Sequence, residues 1–489
     1  MAEQVSSGRP TGAVRRVLIP LALAQFICSF AGSNMNVMIN DISRDLNTDV
    51  KGVQTCITLF LLIMAVLMIP CSKLTDKWGR KRCFLGGLIL YGIGALLSAV
   101  APSLGVLILG NSIFEGVGTA FLIPPVYILT TMAFTSLESR AKAFGVISGL
   151  GGIGAAAGPL IGGVITSGIS WRAAFIFQAL VIVTIIVLGR RVVDPSAPDP
   201  KLPFDLMGAV LSGAGMFCVV FGILQADTNA TLFIVFVAIG LAVLVAFFVY
   251  LRSRERAGKT ALLSLDLFKN RTSNLGMITQ NLQWLLLMGV SFVVSVFLQT
   301  ERHYSAIKTG VIFTAATLGV LVSSLAAERL AGRRQQKTLI AGGFVGTAIG
   351  IGLLLALVHA ASSSPWAFAP GLLLIGLGLG VMLTPSVNIV QGAFPEAKQG
   401  EISGLSRSVS NLGSSFGTAI AGTILVSNLA SGNGTYVAAM IVLAVAALAG
   451  LGIAFLLPAN PLQTADAQSM PAAAAPSALD ARAGPIRSE

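Results

Sequence analysis

The sequence predicts an all-α integral membrane protein with fourteen transmembrane helices. Hydrophobic residues make up 55% of its 489 residues and charged residues 11%, with a mean hydropathy of +0.85. This composition is far more apolar than the core of a soluble protein requires. Apolar runs of about 18 to 26 residues recur along the chain, and each is long enough to cross a bilayer. Lys and Arg collect in alternate loops between those runs, as the positive-inside rule requires.

Fourteen apolar runs with polar ends define the spans. The predicted spans are 17–39, 53–70, 84–101, 104–126, 143–167, 172–189, 206–225, 231–251, 274–299, 309–327, 338–359, 366–391, 403–428 and 435–457. Two long loops, before span seven and after span eight, divide the chain further. The predicted regions are an N-terminal tail at 1–16, a six-helix half at 17–189, linkers with two inserted helices at 190–273, a second six-helix half at 274–457 and a disordered tail at 458–489.

The distribution of basic residues predicts the orientation. The two tails and the even-numbered loops hold 27 of the 32 Lys and Arg residues, if Arg407 at the start of span thirteen is counted with the preceding loop. The other five are Arg44, Lys51, Arg172, Arg302 and Lys308. We therefore expect a multi-pass protein of the cell membrane with both termini in the cytoplasm. This topology explains the net charge of +12, so we predict no nucleic-acid partner.

Residue types that carry catalysis or metal binding are scarce. The chain has only two His and five Cys residues, and the Cys residues show no paired spacing. The sequence contains no Gly-rich nucleotide-binding loop. We predict no catalytic residue, no metal site and no cofactor, and we expect a monomer.

A charged stretch between spans two and three carries the first motif. Residues 72–82 read S-K-L-T-D-K-W-G-R-K-R, with five Lys or Arg residues and a single acid, Asp76. We predict a short cytoplasmic hairpin in which Asp76 accepts charge-assisted hydrogen bonds in one conformation and releases them in another. Such a hairpin would form a gating loop with Gly79, Arg80 and Lys81. The alternative is that the stretch only sets the topology of the chain.

Span five carries a run of small residues, G-x-x-x-G-P-L-I-G-G. The run contains Gly154, Gly158, Pro159, Gly162 and Gly163. Small residues four apart let a second helix approach closely, and Pro permits a bend. The alternative to a functional motif is ordinary close packing between helices.

These two motifs together resemble the major facilitator superfamily, in particular its fourteen-span drug:proton antiporter group. The Asp76 stretch is similar to the family's loop motif, with Ser72 in place of its first Gly, and the run in span five is similar to the antiporter motif of drug exporters. Further resemblances are F-D-L-M-G-A from Phe204, L-F-K-N-R from Leu267 and G-L-S-R-S-V-S-N-L-G from Gly404. The resemblance implies two six-helix halves related by a parallel repeat, with helices seven and eight inserted between them. It also implies export of amphipathic or lipophilic small molecules, such as drugs, in exchange for protons.

Polar side chains on four spans could line a substrate cavity. The candidates are Gln25, Ser29, Ser33, Asn36, Asn111, Gln280, Gln283, Trp284 and Asn388. The four in span one share a helical face, because they follow each other at spacings of four, four and three. Amide and aromatic side chains can bind an amphipathic solute, and they can equally well bond neighbouring helices. Ala31 stands where the family motif in span one has a membrane-embedded Asp.

Span four contains the one carboxylate that the sequence places near the middle of the bilayer, Glu115. Its run G-N-S-I-F-E-G-V-G resembles the family motif R-x-x-Q-G-x-G, with Ser112 in place of the Arg and Glu115 in place of the Gln. An ionised carboxylate at this depth costs about 2.5–3.5 kcal/mol on insertion scales, so an unpaired Glu takes up a proton. We predict that Glu115 carries the exchanged proton. The alternative is a permanently neutral Glu115 that hydrogen-bonds span four to a neighbour.

Other functions are compatible with the same sequence. A lipid or metabolite exporter or facilitator could have this fold without proton coupling at Glu115, and a proton-flux assay would distinguish it. A transporter-like sensor or scaffold would move no solute in proteoliposomes. We expect the partners to be a small-molecule substrate, protons and the lipid bilayer.

Overall fold

The computed structural model describes residues 12–134, 137–194, 198–331, 335–359, 364–395, 398–427 and 433–458. Within these ranges the secondary structure is helical and contains no strand, so the all-α prediction is confirmed. Most of the two predicted tails, 1–11 and 459–489, lies outside the described residues.

Fourteen helices of the described chain are long and apolar enough to cross a membrane, which confirms the predicted number. They are α1 (Gly12–Asn34), α2 (Val50–Trp78), α3 (Arg80–Ala99), α4 (Leu104–Ala133), α5 (Leu137–Gly168), α6 (Trp171–Gly189), α7 (Leu206–Leu224), α8 (Ala230–Arg256), α9 (Arg271–Thr300), α10 (Ala306–Ala331), α11 (Gln336–His359), α12 (Ala369–Gly392), α13 (Gln399–Val426) and α14 (Asn433–Phe455). The shorter helical segments are Met35–Val37, Ile39–Asp45, Leu265–Phe268 and Pro365–Phe368.

The charged stretch between the second and third spans is helical, which corrects the predicted loop. α2 continues to Trp78 and α3 begins at Arg80, so Gly79 alone separates the two helices. Gly79 has a φ of 97°, which residues with a side chain rarely adopt. The charged side chains of the motif therefore project from two helix ends and are held in a fixed geometry.

The two halves repeat the same packing. α1 packs against α5 in the first half, and α9 packs against α13 in the second. Glycines permit both contacts, because a Cβ on Gly154 would lie 2.4 Å from the Phe26 carbonyl oxygen and one on Gly413 would lie 2.2 Å from that of Asn281. Between the halves, α2 packs against α13 and α5 packs against α10. In these contacts α1, α2 and α5 thus correspond to α9, α10 and α13, each eight places later, as a parallel repeat requires.

The inserted helices α7 and α8 lie beside the interface between the halves. They pack against each other, and α7 also packs against α2 and α13. Asp205 caps α7 by accepting a hydrogen bond from Gly208 N at 3.0 Å. Its buried carboxylate also accepts bonds from Leu262 N at 3.0 Å and Tyr250 Oη at 2.8 Å. One carboxylate therefore fixes the start of α7, the end of α8 and the following linker together.

The halves contact each other at both ends of the bundle. We refer to these as the Asp76 end and the Trp171 end. At the Trp171 end, Asn36 Nδ2 donates a hydrogen bond to Ser291 Oγ at 3.1 Å and so joins the first half to α9. At the Asp76 end, α2 and α13 are joined by the contacts described below. The structure is thus closed toward both sides.

Candidate substrate cavity

A small enclosed cavity lies between the two halves. Its walls come from α1, α2, α4, α9 and α13, and its lining residues are Gln25, Cys28, Ser29, Gly32, Leu61, Met64, Met68, Ile123, Trp284, Met288, Arg407, Ser410, Asn411 and Ser414. The cavity volume is about 20 Å³, whereas sites for drug-sized ligands have about 300–1,000 Å³. A substrate can therefore occupy this site only after the halves separate.

A larger groove of about 570 Å³ lies elsewhere, on the outer surface of the first half. It runs along α3 near the Asp76 end, with Trp78, Ile89 and Pro198 among its lining residues. None of its lining residues comes from the second half. Because alternating access works between the halves, we place the candidate substrate site in the smaller, central cavity.

Polar side chains connect α1 with α4 at the cavity wall. Tyr127 Oη donates a hydrogen bond to Gln25 Oε1 at 3.2 Å, and Gln25 Nε2 donates to Ser29 Oγ at 3.2 Å. The guanidinium of Arg407 lies over the Tyr127 ring, 4.5 Å from the ring centroid. This contact joins α4 of the first half to α13 of the second, so the wall itself spans the interface.

Arg407 is the functional candidate that the sequence analysis missed. The predicted span 403–428 contains it, but the count of basic residues includes it in the preceding loop; it lies within α13 and is only 4% exposed. A basic residue inside an apolar span is the signal that could have identified it. Among the described residues, no carboxylate and no hydrogen-bond acceptor pairs with its guanidinium, and its Nε atom is buried without a partner. Arg407 thus presents a positive charge without an anionic partner at the cavity.

The structure brings three predicted cavity residues to this wall: Gln25, Ser29 and Trp284. The other six, Ser33, Asn36, Asn111, Gln280, Gln283 and Asn388, do not line it in this conformation. Most of these bond to neighbouring helices or to their own backbone. The hydrogen bonds are Ser33 Oγ to Phe30 O at 3.3 Å, Asn36 Nδ2 to Ser291 Oγ at 3.1 Å, Ser406 Oγ to Gln280 Oε1 at 2.9 Å and Gln283 Nε2 to Leu379 O at 3.1 Å. Asn388 is half-buried.

Glu115 lies inside the first half, away from the cavity wall. It is fully buried at the end of a π-helical segment of α4, Ile108–Glu115. Asn111 Nδ2 donates to its Oε2 at 3.5 Å, and the side chains of Tyr91 and Ser98 on α3 lie beside it. In the described chain, no Lys or Arg pairs with Glu115, and its Oε1 is buried without a hydrogen-bond partner. If Glu115 were ionised, no positive charge among the described residues would compensate its negative charge.

The helix α2 separates Glu115 from the second half. Ser112 Oγ, one turn before Glu115, donates to the Cys56 carbonyl on α2 at 2.8 Å. On the opposite face of α2, the Thr58 carbonyl accepts a hydrogen bond from Ser415 on α13 at 3.3 Å. The π-helical segment therefore contacts the helix that forms the interface between the halves.

The Asp76 motif forms an ion pair within its own half. Arg80 Nη2 donates to Asp76 Oδ1 at 2.9 Å, one helical turn apart across Gly79. Lys81 Nζ donates to the Arg190 carbonyl at 2.8 Å. All four predicted gate residues are thus placed together at the Asp76 end.

The contacts that cross between the halves at this end come from neighbouring residues. Ser72 Oγ donates to the Gly400 carbonyl at 2.7 Å, and Lys73 forms an ion pair with Glu401 in the first turn of α13. Glu401 also accepts a hydrogen bond from Ser264 N at 3.2 Å. Glu401 therefore connects the first half, the second half and the linker after α8.

The glycines in span five serve two different contacts. A Cβ on Gly158 would lie 2.0 Å from Ser33 Oγ, and one on Gly162 would lie 3.1 Å from the Asn34 carbonyl oxygen, both on α1. A Cβ on Gly163 would instead lie 2.4 Å from the carbonyl oxygen of Ala306 on α10. The motif therefore packs α5 onto its own half and onto the other half at once. Pro159 lies between them, and its carbonyl oxygen would be 2.5 Å from a Cβ on Gly310.

At the Trp171 end, Asp45, which lies outside the membrane-spanning segments, contacts the first turn of α6. Asp45 pairs with Arg172 and accepts a hydrogen bond from Trp171 Nε1 at 2.9 Å. These bonds, with Arg172 first, hold the pKa of the Asp45 carboxyl below its usual value. Within the described residues, no group of three or more His, Cys, Asp or Glu side chains is arranged to hold a metal ion.

Comparison with known proteins identifies the family. The model of the Major Facilitator Superfamily matches residues 21–265, 206–418 and 276–483. The puromycin resistance protein of Streptomyces alboniger is 29% identical over 414 residues, which is 83% of this chain and 81% of that protein. A multidrug resistance protein of Mycobacterium tuberculosis is 26% identical over 415 residues, covering 84% and 75%. A riboflavin transporter of Clostridioides difficile is 26% identical over 404 residues, covering 82% and 86%.

Proposed function

The chain belongs to the Major Facilitator Superfamily, and we propose that it exports amphipathic or lipophilic small molecules in exchange for protons. It is a multi-pass membrane transporter of small molecules and not an enzyme. The proposal includes the orientation expected from the basic residues, with the Asp76 end and both termini in the cytoplasm. It also includes a monomer as the transporting unit.

The observation that carries the proposal is the closed cavity between two repeated halves. Contacts between the halves at both ends leave room for about one water molecule in the centre. In a transporter that works by alternating access, the two sets of contacts break in turn around a fixed central site. The relatives named for puromycin and multidrug resistance support export of drug-like compounds.

Glu115 is the proposed proton carrier. It is a buried carboxyl group without a cationic partner in the described chain, so a desolvated state favours the neutral acid and access to water favours ionisation. The π-helical segment that ends at Glu115 bonds to α2, and α2 forms the interface with α13. Protonation in the first half can therefore change the contact between the halves without direct contact between Glu115 and the substrate.

The test compares Glu115→Gln with Glu115→Asp in proteoliposomes that contain a pH-sensitive dye. The transport panel includes puromycin, riboflavin and fluorescent phospholipids. We expect Glu115→Gln to abolish pH-driven accumulation and to retain downhill exchange, because Gln keeps the shape but cannot titrate. Glu115→Asp should keep partial coupling.

Each alternative function gives a different result. Accumulation at the wild-type rate by Glu115→Gln would show that Glu115 is structural. Solute movement without any proton flux in the wild type would indicate a facilitator. Movement of phospholipid alone would indicate a lipid exporter, and the absence of flux for the whole panel would indicate a sensor or scaffold.

A further inference from the structure

The buried guanidinium of Arg407 has no anionic partner in the described chain. It lies over the Tyr127 ring at 4.5 Å, and its side chain is 4% exposed. Burying a charge without an ion pair is unfavourable, so such a group is usually kept for a ligand or for a specific conformation. An aromatic face compensates only part of the lost hydration of a cation.

The remaining cavity wall provides no counter-charge. Of the residues that line the cavity, Arg407 is the only one with a charged side chain. Glu115 lies inside the first half, and Asp76 is paired with Arg80 at the end of the bundle. An anion that enters the cavity would therefore be the first anionic partner available to Arg407.

Further donors and apolar surfaces lie on the same wall. Asn411, one turn after Arg407 on α13, is half-buried and makes no hydrogen bond within the described residues. Trp284, Met64 and Met288 are among the apolar side chains of the wall. A planar aromatic molecule could contact these side chains while its polar end reaches α13.

We propose that the central cavity selects amphipathic molecules with a carboxylate or another anionic group, which Arg407 binds. This inference rests on the proposed function in one respect, that the central cavity is the transport site. It predicts a preference for acids over their neutral and cationic analogues. A purely structural Arg407, which only holds α4 to α13 through Tyr127, predicts no such preference.

The experiment measures binding of three matched probes to the purified full-length protein in detergent. The probes are anthracene-9-carboxylate, its methyl ester and 9-(aminomethyl)anthracene, which carry a negative, zero and positive charge at neutral pH. Energy transfer from Trp to anthracene reports binding. Trp284→Phe removes the donor at the cavity wall and so identifies the signal that comes from this site.

We expect the wild type to bind the carboxylate most tightly and the amine most weakly. Arg407→Gln should weaken carboxylate binding about ten- to hundredfold, which corresponds to one hydrogen bond with a charged group. Its affinity for the ester should change less than about twofold. Arg407→Lys should keep part of the preference, because the charge remains but the planar hydrogen-bonding group is lost.

Two results would overturn the inference. One is equal or tighter binding of the ester or the amine by the wild type, a measurement that does not depend on any variant folding. The other is an equal loss of affinity for all three probes in Arg407→Gln. Because binding is measured without a pH gradient, failure of proton coupling would leave this result intact, and loss of the acid preference would leave proton-coupled export intact.

Discussion

Replacing Gly163 with Ala should open the Trp171 end of the transporter. The added Cβ would lie 2.4 Å from the Ala306 carbonyl oxygen across the interface of α5 and α10. Ordinary contacts of this kind are above about 3.0–3.4 Å, so the two backbones must move apart by roughly 0.6–1 Å. This oxygen belongs to a helix backbone and cannot rotate away as a side chain could.

The size of the change in the closed-to-open ratio depends on which conformation the strain affects. Overpacking of this kind costs about 1–3 kcal/mol, and it applies only while the halves are in contact. The gain in helix propensity from Gly to Ala, about 1 kcal/mol, is present in the open and closed conformations alike and cancels. The closed-to-open ratio should therefore fall by about 5- to 150-fold.

The assay uses a single cysteine at the cavity wall. Ser29→Cys is introduced into a variant in which all five native cysteines are replaced, and a membrane-impermeant maleimide is added from each side in turn. We expect Gly163→Ala to accelerate labelling from the Trp171 side. Gly149→Ala is the matched control, because its Cβ would lie 4.0 Å from the Ser324 Cβ across the same helix pair.

Two outcomes would refute the reasoning. Labelling of Gly163→Ala at the wild-type rate would show that the contact does not limit opening. An equal acceleration in Gly149→Ala would show that any added methyl group disturbs α5. Gly154→Ala distinguishes strain at the interface from a general loss of stability. Its added Cβ would clash with Phe26 within the first half, so we expect lower thermal stability without a selective effect on opening.

Three further outcomes are expected. Glu401→Gln should increase labelling of the same reporter from the Asp76 side, and the exchange Lys73→Glu with Glu401→Lys should return it toward the wild-type rate. Asp76→Asn should reduce transport severely at normal membrane insertion, measured as flux per inserted protein; unchanged flux would reduce the motif to a topology signal. Asp45→Asn should lower the melting temperature at neutral pH. Because the folded pKa of Asp45 is depressed, its contribution is present above the unfolded pKa of about 3.9 and is lost as the pH falls through the folded pKa, where wild type and variant should converge.

The number of helices could be predicted because it depends on local properties of the sequence. Apolar length and the placement of basic residues are read within one span and its flanks, and both are independent of the partner helices. The limits of α2 and α3 could not be predicted in the same way. Charged residues continue both helices up to Gly79, because helix formation at the membrane surface does not require apolar side chains.

The cavity could be predicted only in part. Helical spacing predicts that Gln25, Ser29, Ser33 and Asn36 share one face, but it does not predict which neighbouring helix covers each of them, and Asn36 lies in the short segment that follows α1. Gln25 and Ser29 meet the open space, whereas Ser33 lies against Gly158 and Asn36 bonds to the second half.

Arg407 and the ion pair at the Asp76 end escaped prediction for a related reason. Arg407 stands four residues from the predicted start of its span, and its burial depends on helices that are distant in the sequence, such as α4 with Tyr127. Lys73 and Glu401 are 328 residues apart, so no local pattern connects them. Contacts between the halves depend on how two repeats face each other, which a single helix does not encode.

The position of α7 makes the two sides of the bundle unequal toward the lipid. The halves meet along two seams, α2 with α13 and α5 with α10, and α7 covers the first of them. Thr423 on α13 donates to the Ile223 carbonyl on α7 at 3.3 Å, and Lys51 in the first turn of α2 pairs with Asp227 after α7 at 2.8 Å. Entry from the bilayer through the seam of α2 and α13 therefore requires α7 to move as well as the halves to separate, whereas entry through the seam of α5 and α10 requires only that the halves separate.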